Sequence, residues 1–353
     1  MRRLASVQHI RALVAVNTAL LACAVSPAEA RRRKPVVIQI YNGFGTPKAA
    51  RVWGRVLEDK GLPAPRAKES WYRKLKRNFH ALESDEIPEA RLEIRVLGRK
   101  LPVKADREGL FEVRIKGPIR EGRHPVTARF IADDDGKKRR FRVVSGKLLV
   151  WPAKPGVAVI SDIDDTVLQT GVGSKLRMAK RVMTTNAHDL KTYAGAPALF
   201  RVWSARGYPL VFVSGSPVNL YPKLARFLAL NRFPTAPLML KDFGLADLTK
   251  QKAYKLGHIA TVVRLLPGYR FILVGDDGEQ DPEIYGEVVR RYRGRVAAVL
   301  IHKVAEKPRP APKGQLHFDD YRQAAGALHR RRLLSAAELR RVGGTGAVQG
   351  AQR

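Results

Sequence analysis

The sequence of 353 residues contains a single cysteine, Cys23, so an intramolecular disulfide is excluded. After residue 25, no run is long and apolar enough for a membrane helix. Acidic residues are also scarce, because 32 Asp and Glu face 66 Lys and Arg and give a formal net charge of +34. A chain this basic is attracted to nucleic acid, anionic lipid surfaces or phosphorylated substrates, and the charge alone does not choose among them.

Residues 1–30 have the pattern of an export signal. A basic start precedes an apolar run of 14 residues at positions 12–25, which is short for a bilayer-spanning helix. Residues 28–30, Ala-Glu-Ala, fit the small-x-small rule for signal cleavage. We therefore expect an exported protein, periplasmic or extracellular. An attached amphipathic arm, or a lipoprotein acylated at Cys23, stays open as an alternative.

The length of 353 residues fits two domains. Residues 31–150 contain short runs of alternating apolar and charged residues, which predict a small β-sandwich-like domain. A basic amphipathic helix is predicted inside it, at 70–82. Residues 151–304 alternate strands with helices, which predicts an α/β domain with a parallel sheet and helices on both faces. A linker and helical extension at 305–342 and a disordered tail at 343–353 complete the prediction.

Several elements of the second domain are predicted individually from apolar runs and helical periodicity. The predicted strands are 157–160, 210–213, 238–240, 271–274 and 296–301. The predicted helices are 196–206, 220–230, 253–266 and 282–291.

Four polar stretches accompany these elements. Three of them, at 161–167, 214–216 and 275–281, directly follow apolar runs, and the fourth is the helix that carries Lys255. In an open parallel sheet the ligand crevice lies at the carboxyl ends of the strands. Two carboxylates, a hydroxyl, a lysine and a second acidic pair are therefore expected to converge. This set suits a magnesium-dependent phosphoryl transfer through an aspartyl-phosphate.

The motif Asp162-x-Asp164-x-Thr166 resembles the first motif of the haloacid dehalogenase superfamily. More narrowly, the chain resembles the actin-patch-protein type of phosphatidate phosphatase, in its bacterial form with an N-terminal β domain. The stretches that carry the resemblance are SDIDDTVLQTGV (161–172), VSGSPVNLYP (213–222), RFPTAPLMLKDFG (232–244), KLGHI (255–259) and FILVGDDGEQDPEIY (271–285). The resemblance implies a Rossmann-like haloacid-dehalogenase phosphatase domain.

The resemblance also implies roles for single residues. Asp162 directly follows a strand and is expected to be the nucleophile, and Asp164 the general acid and then the general base. One lysine is expected to offset the charge of the reacting phosphorus. The candidates are Lys250, Lys252 and Lys255, and Lys255 lies at the family's distance from the following motif.

Substrate binding is expected at the end of the second strand. Ser214 is predicted to donate a hydrogen bond to a phosphoryl oxygen, and Gly215 and Ser216 to add donors in a backbone nest.

A magnesium site is expected at the same edge, because Mg²⁺ prefers oxygen ligands. The expected ligands are Asp162, the main-chain carbonyl of Asp164, Asp276, and Asp277 or Asp281. The family usually has serine where this chain has Asp277, so the second acid stays open between the last two.

We expect an exported Mg²⁺-dependent phosphatase that acts on a lipid phosphate, phosphatidate, at an anionic membrane surface. The segment 167–213 is short for a large cap, which favours a bulky or membrane-held substrate over the alternative, a soluble phosphomonoester. A non-enzyme alternative is a basic polyanion-binding protein on a vestigial phosphatase fold. We expect no nucleic-acid partner, because the sequence lacks the interleaved aromatics of a base-stacking surface. The oligomeric state is not predicted.

Overall fold

The computed structural model describes residues 34–61, 85–170, 185–241, 251–306 and 312–343. The predicted export signal, the predicted helix at 70–82 and most of the predicted tail lie outside these residues. Within the described ranges, no helix combines the length and the apolar character needed to cross a membrane.

Strands between residues 36 and 150 form one mixed sheet of nine strands, in the order β5-β4-β7-β9-β2-β3-β1-β8, with β6 paired to β3. Most neighbours are antiparallel, whereas the pairs β1 with β8 and β2 with β9 are parallel. The strands are β1 (Val36–Ile40), β2 (Gly43–Thr46), β3 (Ala49–Glu58), β4 (Arg91–Val96), β5 (Arg99–Lys104), β6 (Leu110–Lys116), β7 (Gly122–Ala132), β8 (Phe141–Val144) and β9 (Gly146–Val150).

Buried side chains from distant strands of this sheet meet in one apolar cluster. Ile38 of β1 and Val56 of β3 belong to the same cluster as Ile94 of β4 and Val126 of β7. Along β7, buried and exposed residues alternate, as they do in a strand with one solvated face. The predicted antiparallel strands are therefore present, while a separate β-sandwich-like domain stays a prediction.

Six parallel strands form a second sheet, in the order β12-β11-β10-β13-β14-β15. They are β10 (Gly156–Ser161), β11 (Leu210–Pro217), β12 (Leu238–Lys241), β13 (Tyr269–Asp276), β14 (Val296–His302) and β15 (Leu316–Phe318). The predicted strands of this segment and their parallel arrangement are confirmed. Strand β15 is absent from the prediction because its three residues are too few to show a periodicity.

Helices cover both faces of the parallel sheet, as predicted. They are α1 (Ala196–Ala205), α2 (Tyr221–Leu230), α3 (Gln251–Leu265), α4 (Asp281–Arg291), α5 (Tyr321–Arg330) and α6 (Ala336–Gly343). Successive strand residues point to opposite faces. Val159 therefore packs with α1, α2 and α5, whereas Ala158 and Ile160 pack with α3 and α4.

The strand order creates a crevice at one edge of the parallel sheet. From β10 the chain continues to β11 on one side, whereas from β13 it continues to β14 on the other side. Such a reversal opens a crevice at the carboxyl ends of the two central strands, here β10 and β13. The two sheets also share apolar contacts, since Phe44 and Leu149 of the mixed sheet lie in the cluster that includes α3.

Candidate active site

Asp162 stands at the carboxyl end of β10, where the apolar run of that strand ends. Its backbone amide donates a hydrogen bond to the carbonyl of Val274 in β13, at 2.9 Å. The side chain is buried, with 1% of its surface exposed. The first expected site residue is therefore fixed between the two central strands.

Lys255 of α3 reaches this aspartate. Its Nζ lies 2.9 Å from Asp162 Oδ1, 2.6 Å from Asp281 Oδ1 and 3.9 Å from Glu279 Oε2. Lys252, by contrast, is half-exposed and pairs with Glu287 at 3.0 Å. The third candidate, at position 250, lies outside the described residues. The structure thus brings Lys255 to the expected nucleophile.

Asp162, Asp276 and Asp281 form what we call the three-aspartate group, in which one carboxylate oxygen of each residue lies within 4.8 Å of the others. Asp281 packs against the backbone of Gly275, where a Cβ atom would stand 2.3 Å from Asp281 Oδ2. That Oδ2 atom is buried and has no hydrogen-bond partner among the described residues. An unpartnered buried carboxylate oxygen beside two others fits a hard cation with oxygen ligands, such as Mg²⁺.

Asp277 is not part of the three-aspartate group. Its Oδ1 accepts hydrogen bonds from the backbone amides of Val304 and Ala305, at 2.7 and 2.8 Å. These bonds hold the segment that follows β14 against the loop after β13. Of the two acids left open by the sequence, the geometry therefore places Asp281 beside Asp162 and Asp276.

Asp164 lies opposite the end of β11. Its Oδ2 accepts hydrogen bonds from the hydroxyls of Ser214, at 3.0 Å, and Ser216, at 2.7 Å. The backbone amide of Ser216 also donates to Ser214 Oγ, at 2.9 Å, across Gly215. Both hydroxyls thus orient Asp164, a role absent from the sequence prediction, and their contact with a phosphoryl oxygen stays a prediction.

Burial dominates the electrostatics of the site. It raises the pKa of Asp162 well above its ordinary value, against the attraction of Lys255. It likewise raises the pKa values of Asp276 and Asp281, and that of Asp164 to about 6. Burial would lower the pKa of Lys255, but the surrounding carboxylates outweigh it and raise that pKa well above its usual value. One ammonium faces several carboxylates, so a further cation is electrostatically favoured.

The loop after β10 contains two residues whose contacts the sequence did not reveal. Thr166 Oγ1 lies 3.3 Å from Asp276 Oδ2 and 3.5 Å from Asp162 Oδ2, and its carbonyl accepts a hydrogen bond from the Tyr321 hydroxyl at 2.8 Å. Asp165 has a left-handed backbone (φ 51°), and its carboxylate accepts from the amide of Thr170 at 3.0 Å. Asp165 therefore supports the loop.

The mixed sheet holds the segment that follows Ser216. The buried guanidinium of Arg55 donates to Asn219 Oδ1 and, at 2.6 Å, to Glu86 Oε1. The backbone amide of Asn42 donates to the Tyr221 hydroxyl at 3.0 Å. Pairings between positions so distant in sequence leave no local pattern, which is why sequence reasoning missed them.

Known proteins resemble the segment that carries this site. Residues 157–303 match the family model of the catalytic domain of phosphatidate phosphatase APP1. Phosphatidate phosphatase APP1 of Saccharomyces cerevisiae is 31% identical over 154 residues, which cover 41% of this chain and 26% of that protein. An uncharacterized protein of Schizosaccharomyces pombe is 31% identical over 153 residues, which cover 42% and 25%. The match thus spans about a quarter of the curated relatives' length.

Among solved structures, the Pnkp1/Rnl/Hen1 complex aligns with a TM-score of 0.32 and 16% identity, over 44% of this chain and 48% of that one. The sequence matches support the predicted class of phosphoric monoester hydrolase. Residues 157–303, which contain every residue of the three-aspartate group as well as Lys255 and Asp164, are similar to the catalytic domain of phosphatidate phosphatase APP1.

Proposed function

We propose that this protein is a Mg²⁺-dependent phosphatase of the haloacid dehalogenase type that hydrolyses a lipid phosphate, phosphatidate, to diacylglycerol and inorganic phosphate. The observation that carries the proposal is the buried Lys255 ammonium, which contacts both Asp162 and Asp281 in the segment similar to a phosphatase catalytic domain.

In the first proposed step, an oxygen of the Asp162 carboxylate attacks phosphorus, and the bond from phosphorus to the leaving alcohol oxygen breaks. Asp164 donates a proton to that oxygen. Because burial brings the pKa of Asp164 to about 6, the residue exchanges protons close to neutral pH. The two serine hydroxyls keep its carboxylate oriented during this exchange.

In the second step, Asp164 takes a proton from a water molecule, and the water oxygen attacks phosphorus. The bond between phosphorus and the Asp162 oxygen breaks, so that phosphate leaves and the free carboxylate returns. Lys255 offsets the negative charge that the nucleophile and the phosphoryl group bring together.

The three-aspartate group and the main-chain carbonyl of Asp164 are the proposed ligands of Mg²⁺. A bound Mg²⁺ supplies charge neutralisation for the phosphoryl oxygens. The unpartnered Oδ2 of Asp281 and the excess of carboxylates over ammonium groups support this assignment.

The lipid part of the proposal is supported by the name of the yeast relative, phosphatidate phosphatase, and by the basic composition, a net charge of +34. Positive charge attracts a protein to anionic membrane surfaces. We therefore propose peripheral contact with such a surface, where a phosphorylated lipid is presented to the site.

The decisive experiment measures phosphate release by the full chain from vesicles that contain phosphatidate, with Mg²⁺ and with a chelator. We expect release that requires metal and that Asp162→Asn reduces at least about a thousandfold. Release of phosphate from a small aryl phosphate but not from the vesicles would support the phosphatase reaction and refute a lipid phosphate as the substrate. If neither substrate reacts, the proposal is wrong and a polyanion-binding role takes its place.

A further inference from the structure

A cavity of about 270 Å³ lies between the mixed sheet and the parallel sheet. Its walls are mostly apolar and aromatic, and the three-aspartate group does not line it. The residues that define it here are Tyr41, Trp53, Phe111, Val218, Leu240 and His258. The volume is slightly below the usual range for sites of whole small molecules, so the cavity suits one part of a ligand.

His258 lines this cavity and, within the part of the chain that the structure describes, has a ring nitrogen without a hydrogen-bond partner. Its Nε2 is buried without a hydrogen bond, and its ring packs edge-on against Tyr254 with the centroids 4.1 Å apart. Burial lowers the pKa of His258 to about 4, so the ring is neutral at pH 7. A neutral ring whose Nε2 carries the proton donates one hydrogen bond.

The charged residues that line the cavity are already paired. Arg51 Nη1 lies 3.2 Å from Glu112 Oε1, and the Trp53 indole also donates to Glu112, at 3.2 Å. Asp106 Oδ1 accepts from the backbone amide of Leu110 at 2.9 Å. A ligand in the cavity therefore meets largely apolar surface, and among the described lining residues the Nε2 atom of His258 is one whose hydrogen bond is not already made.

Two residues of the cavity wall, His258 and Val218, lie close in sequence to residues of the candidate active site. His258 lies three residues after Lys255 and three before Thr261 on α3, so it is a neighbour of each on the helix surface. The helical rise over six residues is about 9 Å, so Thr261 on the cavity wall lies about 9 Å from Lys255 along the axis of α3. Val218, on another wall, stands two residues after Ser216.

We propose that this cavity binds the acyl segment of the lipid substrate nearest to its glycerol, with His258 Nε2 donating a hydrogen bond to the ester carbonyl. The inference rests on the proposed function, since it names the part of phosphatidate that the site selects. The apolar walls match hydrocarbon, the Nε2 donor of His258 matches a carbonyl acceptor, and the small volume leaves the rest of the acyl chain in the membrane.

The test uses the full chain and two soluble substrates, dioctanoyl phosphatidate and p-nitrophenyl phosphate. Thr261→Phe fills the cavity from an accessible position on α3, and His258→Phe removes the donor while keeping a ring. Thr127→Phe, on the solvent side of β7, is the matched control. Calorimetry of dioctanoylglycerol binding supplies a measurement independent of turnover.

We expect Thr261→Phe to lower kcat/KM for dioctanoyl phosphatidate, relative to p-nitrophenyl phosphate, at least about tenfold, because two or more methylenes lose their apolar contact. His258→Phe is expected to lower the same ratio less, and Thr127→Phe to leave it unchanged. Dioctanoylglycerol binding should weaken in parallel.

The inference is overturned by an unchanged ratio with unchanged dioctanoylglycerol binding, or by an equal loss of kcat/KM for both substrates. A selective loss for p-nitrophenyl phosphate would also overturn it, since the cavity would then take a soluble leaving group. If the chain hydrolyses no phosphatidate but still binds dioctanoylglycerol in a Thr261-dependent way, the cavity assignment stands and the proposed function fails.

Discussion

Two ion pairs of similar length lie in very different surroundings. In the mixed sheet, Lys104 Nζ lies 2.7 Å from Glu89 Oε2, and both side chains are about half exposed. Beside the parallel sheet, Lys255 Nζ lies 2.9 Å from Asp162 Oδ1, and each side chain is 1% exposed. Water and salt screen the first pair, whereas the second interacts in a low-dielectric interior and loses its hydration.

Distance therefore says little about what an ion pair does, and burial says more. A folding protein gains little from burying charges, because their desolvation costs as much as their attraction returns. The parallel-sheet edge nevertheless buries Asp162, Asp164, Asp276 and Asp281 together. Such a concentration of costly groups is typical of a functional site.

The largest effect is expected from Lys255→Met. Removal of the ammonium leaves Asp162 and Asp281 buried without their shared partner, so the free energy of unfolding should fall by about 3–5 kcal/mol. The rate of phosphate release should fall at least about a hundredfold, because the charge of the phosphoryl group is no longer offset. Chemical denaturation and the vesicle assay measure these two quantities.

Lys252→Met is the matched control, because Lys252 lies one turn away on the same helix and pairs with Glu287 in a half-exposed position. It should leave the rate unchanged. An equal loss of rate in Lys255→Met and Lys252→Met would contradict the contrast between the buried and the exposed ion pair.

The next largest effect is expected on the free energy of unfolding when Mg²⁺ binds. Mg²⁺ at a hundredfold excess over its Kd should stabilise the native protein by about 2.7 kcal/mol, because it binds the folded site. Asp281→Asn should remove most of this gain, and Asp319→Asn, on the exposed surface, should not. Thermal unfolding with Mg²⁺ and with chelator measures the gain, and an equal gain in all three proteins would rule out the three-aspartate group as the metal site.

A smaller effect is expected from Asn219→Ala, which removes a partner of the buried Arg55 guanidinium. Loss of a hydrogen bond to a charged group should cost about 1.5–3 kcal/mol in unfolding free energy. The rate of phosphate release should also fall, because the segment that follows Ser216 is no longer held by its hydrogen bond to Arg55. Asn231→Ala, at the end of α2, is the control for the rate, and a loss of rate shared by both variants would argue against a specific anchor.

The smallest effect is expected from Lys104→Ala in the exposed pair. Solvent and salt screen this pair, so thermal unfolding and phosphate release should match those of the unchanged protein. A clear drop in the unfolding temperature would mean that the exposed pair contributes more than its surroundings suggest, and would weaken the contrast with Lys255.

Much of the parallel sheet was predictable, because apolar runs such as 271–274 are long enough to show as buried strands. The place of Asp162 and Asp276 at the same edge follows from those runs and from parallel order. The contacts of Ser214 and Ser216 with Asp164 were not predictable, since they depend on how closely the end of β11 approaches the loop after β10.

The sequence by itself determined the strand and helix pattern of residues 156–302 and the motif order that brings Asp162, Lys255 and Asp276 to one edge. Only the tertiary structure decided that Asp281 rather than Asp277 joins the three-aspartate group, that Arg55 holds Asn219, and that a cavity opens beside His258. The physical reason is the distance along the sequence between the interacting residues. Local periodicity reports which residues are buried, whereas partners far apart in sequence are chosen by packing, hydrogen bonding and charge in three dimensions.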